Sequence, residues 1–158
     1  MMQYDERIRI ARKQLYAYYA DKEAIESFVE AATRQTQKMD AEFVRGTYRS
    51  DPTARGGIML ADPPAAIRAK VEWVKTIEDA WAELHFEDHA YRRVPEHGKA
   101  YVMEQFFCLT RPPRRKELNE EARDKLCAEC GISVRTFYNW LTQITQCVIQ
   151  HATRRGLL

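Results

Sequence analysis

Arg135 and Asn139 are the residues whose types and spacing most directly suggest a chemistry. They lie four positions apart, so on a helix their side chains leave from the same face. The guanidinium of arginine is suited to a bidentate contact with guanine, and the amide of asparagine to one with adenine. The pair therefore predicts contacts with base edges in the major groove of DNA.

Both residues lie within residues 126–143, LCAECGISVRTFYNWLTQ, which we interpret as two helices joined by a tight turn. Gly131 can adopt the left-handed backbone that ends the first helix, and Ser133 can cap the second. Helical spacing predicts a buried face formed by Ala122, Leu126, Cys127, Cys130, Ile132, Phe137, Trp140, Leu141, Ile144 and Val148. A helix-turn-helix reads bases with the first turns of its second helix. The predicted base contacts are accordingly Ser133, Val134, Arg135, Tyr138 and Asn139, with Thr142 also pointing outward.

Positive charge is concentrated around this motif, although the net charge of the chain is only +2. Residues 105–116 carry four basic side chains and no acid, and residues 130–158 carry three and no acid, which leaves −5 for the remainder. Such a local positive field attracts the phosphates of nucleic acid. The predicted phosphate contacts are Arg111, Arg114, Arg115 and Lys116, with Arg154 and Arg155 as helpers.

Two groups of residues invite a metal or catalytic interpretation, and we favour a structural one for both. Cys127, Cys130, Cys147 and His151 could supply four zinc ligands. However, Cys127 and Cys130 lie on the face that the motif buries, where cysteine behaves as a small apolar residue. The other group, His85, Glu87, Asp88 and His89 with His97 nearby, falls at a helix end, where such side chains are commonly solvated.

The sequence also lacks a Gly-rich phosphate loop, a nucleophile elbow and a paired metal-ligand motif on a helix. We therefore predict no enzymatic activity, no catalytic residue, no cofactor and no metal. The apolar runs are too short to cross a membrane, and the first residues, MMQYDERIRIARK, have no signal-peptide core. These features predict a cytoplasmic protein without a membrane partner.

The predicted fold class is all-α, with N-terminal amphipathic helices followed by a C-terminal helix-turn-helix domain that has a long last helix. The predicted helices cover residues 5–19, a second segment from a cap at Asp21 to about 45, 63–88, 99–109, and one that starts near 119. The best-patterned stripe is Ile67, Val71, Val74, Ile77, Trp81 and Leu84. We divide the chain into a helical region, residues 1–93, for oligomerisation or polymerase contact, and a DNA-binding domain, residues 94–158.

Residues 50–55, SDPTAR, and 131–138, GISVRTFY, together with the order of helices, resemble phage transcriptional regulators of the RinA and ArpU type. The last third is also similar to region 4 of bacterial sigma factors. The resemblance implies a late-gene activator, from a phage or prophage, that binds a promoter or operator and engages host RNA polymerase. The base contacts that it carries over are Ser133, Val134, Arg135, Tyr138 and Asn139.

The leading hypothesis is thus a sequence-specific transcriptional regulator that binds double-stranded DNA as a homo-oligomer. A second hypothesis is a phage DNA-packaging or recombination accessory protein that binds DNA through the same motif. A third is a helical scaffold whose C-terminal helices bind protein, which predicts no salt-dependent affinity for DNA.

Overall fold

The structure is a computed structural model that describes residues 3–43, 61–90, 97–112 and 120–158, with backbone alone for 35–43. Five helices have both ends within these residues: α1 (Tyr4–Phe43), α2 (Ala65–Ala90), α3 (Lys99–Phe106), α4 (Glu120–Cys130) and α5 (Val134–Arg154). These described residues form no strand. The predicted all-α class is therefore confirmed.

Helix α1 is one continuous helix, so the predicted break before Asp21 is wrong. Residues 19–22 contain neither glycine nor proline, and nothing there interrupts the backbone hydrogen bonds. The carboxylate of Asp21 does not cap a helix. It is nearly buried and forms an ion pair with the ammonium group of Lys70 on α2.

The chain divides into two compact units, one formed by Met1–Ala20 with Trp73–Leu158 and the other by Asp21–Glu72. Helices α1 and α2 each contribute to both units. The core of the first unit combines α1, α2, α3 and α5, and its fully buried side chains include Leu15, Tyr18, Ile77, Met103, Phe137 and Ile144. Residues 73–90 therefore share a unit with the predicted DNA-binding domain. The predicted boundary at 93/94 lies outside the described residues and stays a prediction.

The stripe of α2 is buried at Val74, Ile77 and Leu84, with Thr76 and Ala80 beside them. Ile67, Val71 and Trp81 are only half-buried. The helix begins at Ala65, two residues later than predicted, because the carbonyl of Pro64 accepts its first backbone hydrogen bonds. None of the described helices combines the length and apolarity needed to cross a membrane.

Helix α3 is fixed to the end of α2 by acidic side chains that the sequence presented as a candidate metal cluster. The carboxylate of Asp88 accepts a hydrogen bond from the backbone N–H of Ala100 at 2.8 Å, and Lys99 donates to Glu87 at 2.7 Å. A β-carbon on Gly98 would lie only 2.3 Å from the Asp88 carboxyl group, so glycine permits this close approach. Helix α3 ends at Phe106, three residues before the predicted end, because the chain turns at Cys108, whose φ is 54°.

Candidate nucleic-acid interface

The turn between α4 and α5 has the local chemistry that the sequence predicts. Gly131 has a φ of 63°, and the N–H of Ile132 donates to the carbonyl of Cys127 at 3.0 Å, which closes the end of α4. Ser133 is extended, and its side-chain oxygen accepts a hydrogen bond from the N–H of Thr136 at 3.1 Å. The predicted left-handed glycine and the predicted N-cap are both present. They set the direction in which α5 leaves the turn.

The inner side of the helix-turn-helix is a buried apolar face formed by residues of α4 and α5. The buried residues that the sequence predicted are Leu126, Cys127 and Cys130 on α4 and Phe137, Leu141, Ile144 and Val148 on α5. Phe137 is fully buried and meets the ring of Phe106 edge-on, with centroids 5.3 Å apart. Three predicted members of this face, Ala122, Ile132 and Trp140, are only half-buried. Trp140 lies at the edge of the stripe, so it was wrongly assigned to the interior.

The predicted base-contact residues are all exposed at the start of α5: Ser133, Val134, Arg135, Tyr138 and Asn139. Thr142 is exposed too, and its hydroxyl donates to the carbonyl of Tyr138 at 3.0 Å. Tyr138 keeps 52% of its surface accessible, although its ring packs against Phe137. The five side chains thus form one accessible surface, which we call the α5 face. The buried residues that alternate with these five along the helix fix which way the α5 face points.

Arg123 on α4 adds a cation beside the α5 face, and sequence reasoning missed it. Its Nη1 donates to the hydroxyl of Tyr138 at 3.4 Å, and its Nε donates to the carboxylate of Asp124 at 2.8 Å. These two hydrogen bonds raise the pKa of the guanidinium, so Arg123 stays charged at any ordinary pH. No spacing rule in the sequence connects Arg123 to Tyr138, since they meet only when α4 packs on α5.

The predicted phosphate contacts have different surroundings. Arg111, Arg154 and Arg155 are all exposed. Arg155 donates to Asp79 at 2.5 Å, so a phosphate would compete with that carboxylate. Arg114, Arg115 and Lys116 lie outside the described residues. Helix α5 carries no acid, but the neighbouring α4 carries Glu120, Glu121, Asp124 and Glu129. The positive side of this region is therefore α5 rather than α4.

The four cysteines are buried thiols without disulfide bonds. Burial is the main cause that raises the pKa of Cys127, and it raises those of Cys130 and Cys147 to about 11. These thiols are protonated at neutral pH. Among the described residues, the potential metal ligands that converge are Glu83, Cys147 and His151, and the pair Cys127 and Cys130 is not part of that group.

Two of the histidines near the end of α2, His85 and His97, make ring contacts. The imidazole of His85 lies against Trp81, with centroids 5.5 Å apart, and His97 stacks on Tyr101 at 4.1 Å. Tyr101 in turn donates from its hydroxyl to Glu129 at 3.1 Å, which ties α3 to α4. In the described part of the chain, these histidines do not form a group of potential metal ligands with Glu87 and Asp88.

No protein-family model matches this sequence, and no curated protein or solved structure matches it either.

Proposed function

We propose that this chain is a sequence-specific, non-enzymatic transcriptional regulator that places the first turns of α5 in the major groove of double-stranded DNA. The observation that carries the proposal is the α5 face itself. Five side chains able to contact bases are exposed together, on a capped helix with no acid, directly after a glycine turn. This arrangement has the form of a recognition helix.

The chemistry of the α5 face suits base reading. Arg135 offers paired donors for guanine, Asn139 offers a donor and an acceptor for adenine, and Val134 offers methyl groups that can contact thymine. The side-chain oxygen of Ser133 already caps the helix and lies 2.9 Å from the Thr136 hydroxyl, so Ser133 is less available for base contacts. Arg135 and Asn139 are thus the main determinants of specificity. Arg123 lies beside Tyr138 as a charge for the phosphate backbone, where a phosphate would compete with Asp124 for its guanidinium. The exposed Arg111 is a further proposed phosphate contact.

The biological role comes from the resemblance to RinA- and ArpU-type regulators. It is activation of late genes in a phage or prophage, with the protein bound at a promoter or operator and in contact with host RNA polymerase. The sigma-like C-terminal third is consistent with a position next to the polymerase. The α5 face explains the DNA binding but not the contact with polymerase, which requires a second surface.

The test begins with selection of a preferred site from random DNA by the full chain. Arg135→Ala should then weaken binding to the selected site by about 1–3 kcal/mol and weaken binding to random DNA by less. Arg9→Ala is the matched control, since it removes the same charge from an exposed position on α1 and should leave specific binding unchanged. Binding would be followed by fluorescence anisotropy of labelled duplexes.

Two outcomes would count against the proposal. Absence of any salt-dependent affinity for DNA would reject it and favour a protein-binding scaffold. Equal losses for Arg135→Ala on selected and random DNA would reduce Arg135 to a phosphate contact. Arg111→Ala supplies the comparison, because removal of a true phosphate contact should lower the log–log salt slope by about one and affect both DNAs alike.

A further inference from the structure

Glu83, Cys147 and His151 bring a carboxylate, a thiol and an imidazole together between α2 and α5. Their potential ligand atoms all lie within 4.8 Å of one another, and Nε2 of His151 is 2.7 Å from Oε2 of Glu83. Cys147 and His151 are one helical turn apart, so both project from the same side of α5 toward α2. Glu83 faces them from α2, in the same compact unit.

The surrounding helices hold this group in place. The Cys147 thiol lies 3.8 Å from the carbonyl of Ala80, which is one turn before Glu83 on α2. Cys147 keeps only 8% of its surface accessible and the His151 side chain 15%, whereas the Glu83 side chain keeps 40%. The group therefore has a shielded inner end at sulfur and an outer end that water can reach.

We propose that Glu83, Cys147 and His151 bind a zinc ion, with water in the fourth position. Thiolate and imidazole ligands favour zinc over magnesium or calcium, and carboxylate is a known third ligand. Zinc–ligand distances of about 2.0–2.3 Å place tetrahedral ligand atoms roughly 3.3–3.8 Å apart. The ligand atoms of Glu83 and His151, 2.7 Å apart, are closer than this range, and the 4.8 Å within which all three ligand atoms lie is wider than it. Small side-chain rotations are therefore enough to accommodate the ion.

Charge and proton balance also fit. On binding, the Cys147 thiol releases its proton to solvent, His151 ligates as the neutral imidazole and Glu83 as the carboxylate. The thiolate of Cys147 and the carboxylate of Glu83 neutralise the dication, so the loaded group carries no net charge between the two helices. The ion would fasten the second half of α5 to α2. This inference does not rest on DNA binding.

The experiment uses the full chain, stripped of metal by a chelator and kept reduced, and titrates it with Co²⁺ as a spectroscopic substitute for zinc. We expect one equivalent to give thiolate-to-cobalt charge-transfer bands and the intense visible bands of a tetrahedral ion, both abolished by equimolar Zn²⁺. Cys147→Ser should remove the charge-transfer bands. His151→Gln and Glu83→Gln should each weaken cobalt binding by at least about tenfold. Even residues that only hydrogen-bond to metal ligands typically cause a loss of that size when they are replaced.

Cys127→Ser is the matched control, since Cys127 is as buried as Cys147 and lies outside the group. It should keep the full cobalt spectrum. X-ray absorption of the zinc-loaded wild-type chain gives a readout that needs no variant, and we expect one sulfur neighbour with nitrogen and oxygen neighbours. The inference is overturned by no saturable cobalt spectrum, by two sulfur neighbours, or by loss of the bands in Cys127→Ser instead of Cys147→Ser.

Discussion

Cys130 illustrates how burial acts on a single side chain beside the turn. It is 1% exposed, and burial, with Glu129, Cys127 and Asp88 nearby, raises its pKa to about 11 from a usual value of 9.0. The Tyr101 hydroxyl group is also close enough to interact with it. Because the folded state holds this proton more tightly than the unfolded state, the thiol contributes stability below pH 9. That contribution is lost as pH rises toward 11.

We therefore expect the free energy of unfolding to fall between about pH 9 and 11, with roughly 1–3 kcal/mol of the loss due to Cys130. Urea unfolding of the wild-type chain and of Cys130→Ala, followed by circular dichroism at several pH values, measures this contribution. The difference between the two curves isolates Cys130 from the tyrosines, whose pKa values are also raised. Parallel curves across this range would contradict the assignment.

Within helix α5, Phe137 occupies an interior position and Trp140 a position at the edge of the buried stripe. Phe137→Ala should cost about 3–5 kcal/mol, because a fully buried ring in contact with Phe106 leaves a cavity. Trp140→Ala should cost clearly less, since Trp140 is only half-buried and water can fill the space. Urea midpoints of both variants, with Thr142→Ala as an exposed control, test the order. Equal losses for Phe137 and Trp140 would contradict it.

The sequence identifies elements whose chemistry is local. Gly131 and Ser133 are recognisable because a left-handed turn and an N-cap depend on a few adjacent residues, and the stripe of α5 follows from its spacing. The continuity of α1 was missed because aspartate is a good capping residue when it is considered by itself. In the fold, the carboxylate of Asp21 forms an ion pair with Lys70 instead. That pairing joins residues 49 apart, which no local pattern records.

The candidate sites divide in the same way. The α5 face was predictable, since helical periodicity places its members on the outer side once the buried stripe is known. Arg123 was not, because it meets Tyr138 only through the packing of α4 on α5. The zinc ligands considered from the sequence were four residues near one another in the chain. The group that converges instead takes Glu83 from a helix 68 positions before His151.

In the described parts of the chain, the two compact units bury their large apolar residues to different extents. In Asp21–Glu72, the described large apolar side chains include none that is fully buried. Ile25, Phe28, Ile67 and Val71 are half-buried, and Val29 is 44% exposed. The first unit, by contrast, has a fully buried core. An apolar surface on the smaller unit suits association with a second copy, and two-fold dimers match the symmetry of many operators.

We therefore expect a homodimer in which residues 21–34 and 61–72 contribute to the contact. Sedimentation velocity at tens of micromolar should give the dimer mass. Val29→Glu should shift the population to monomer, because it places a charge in the contact, where burial without a partner is costly. Ser27→Glu, an exposed neighbour on a different side of α1, adds the same charge and should leave the dimer intact. A monomer at this concentration, with or without the selected DNA, would contradict the dimer, as would equal dissociation by both variants.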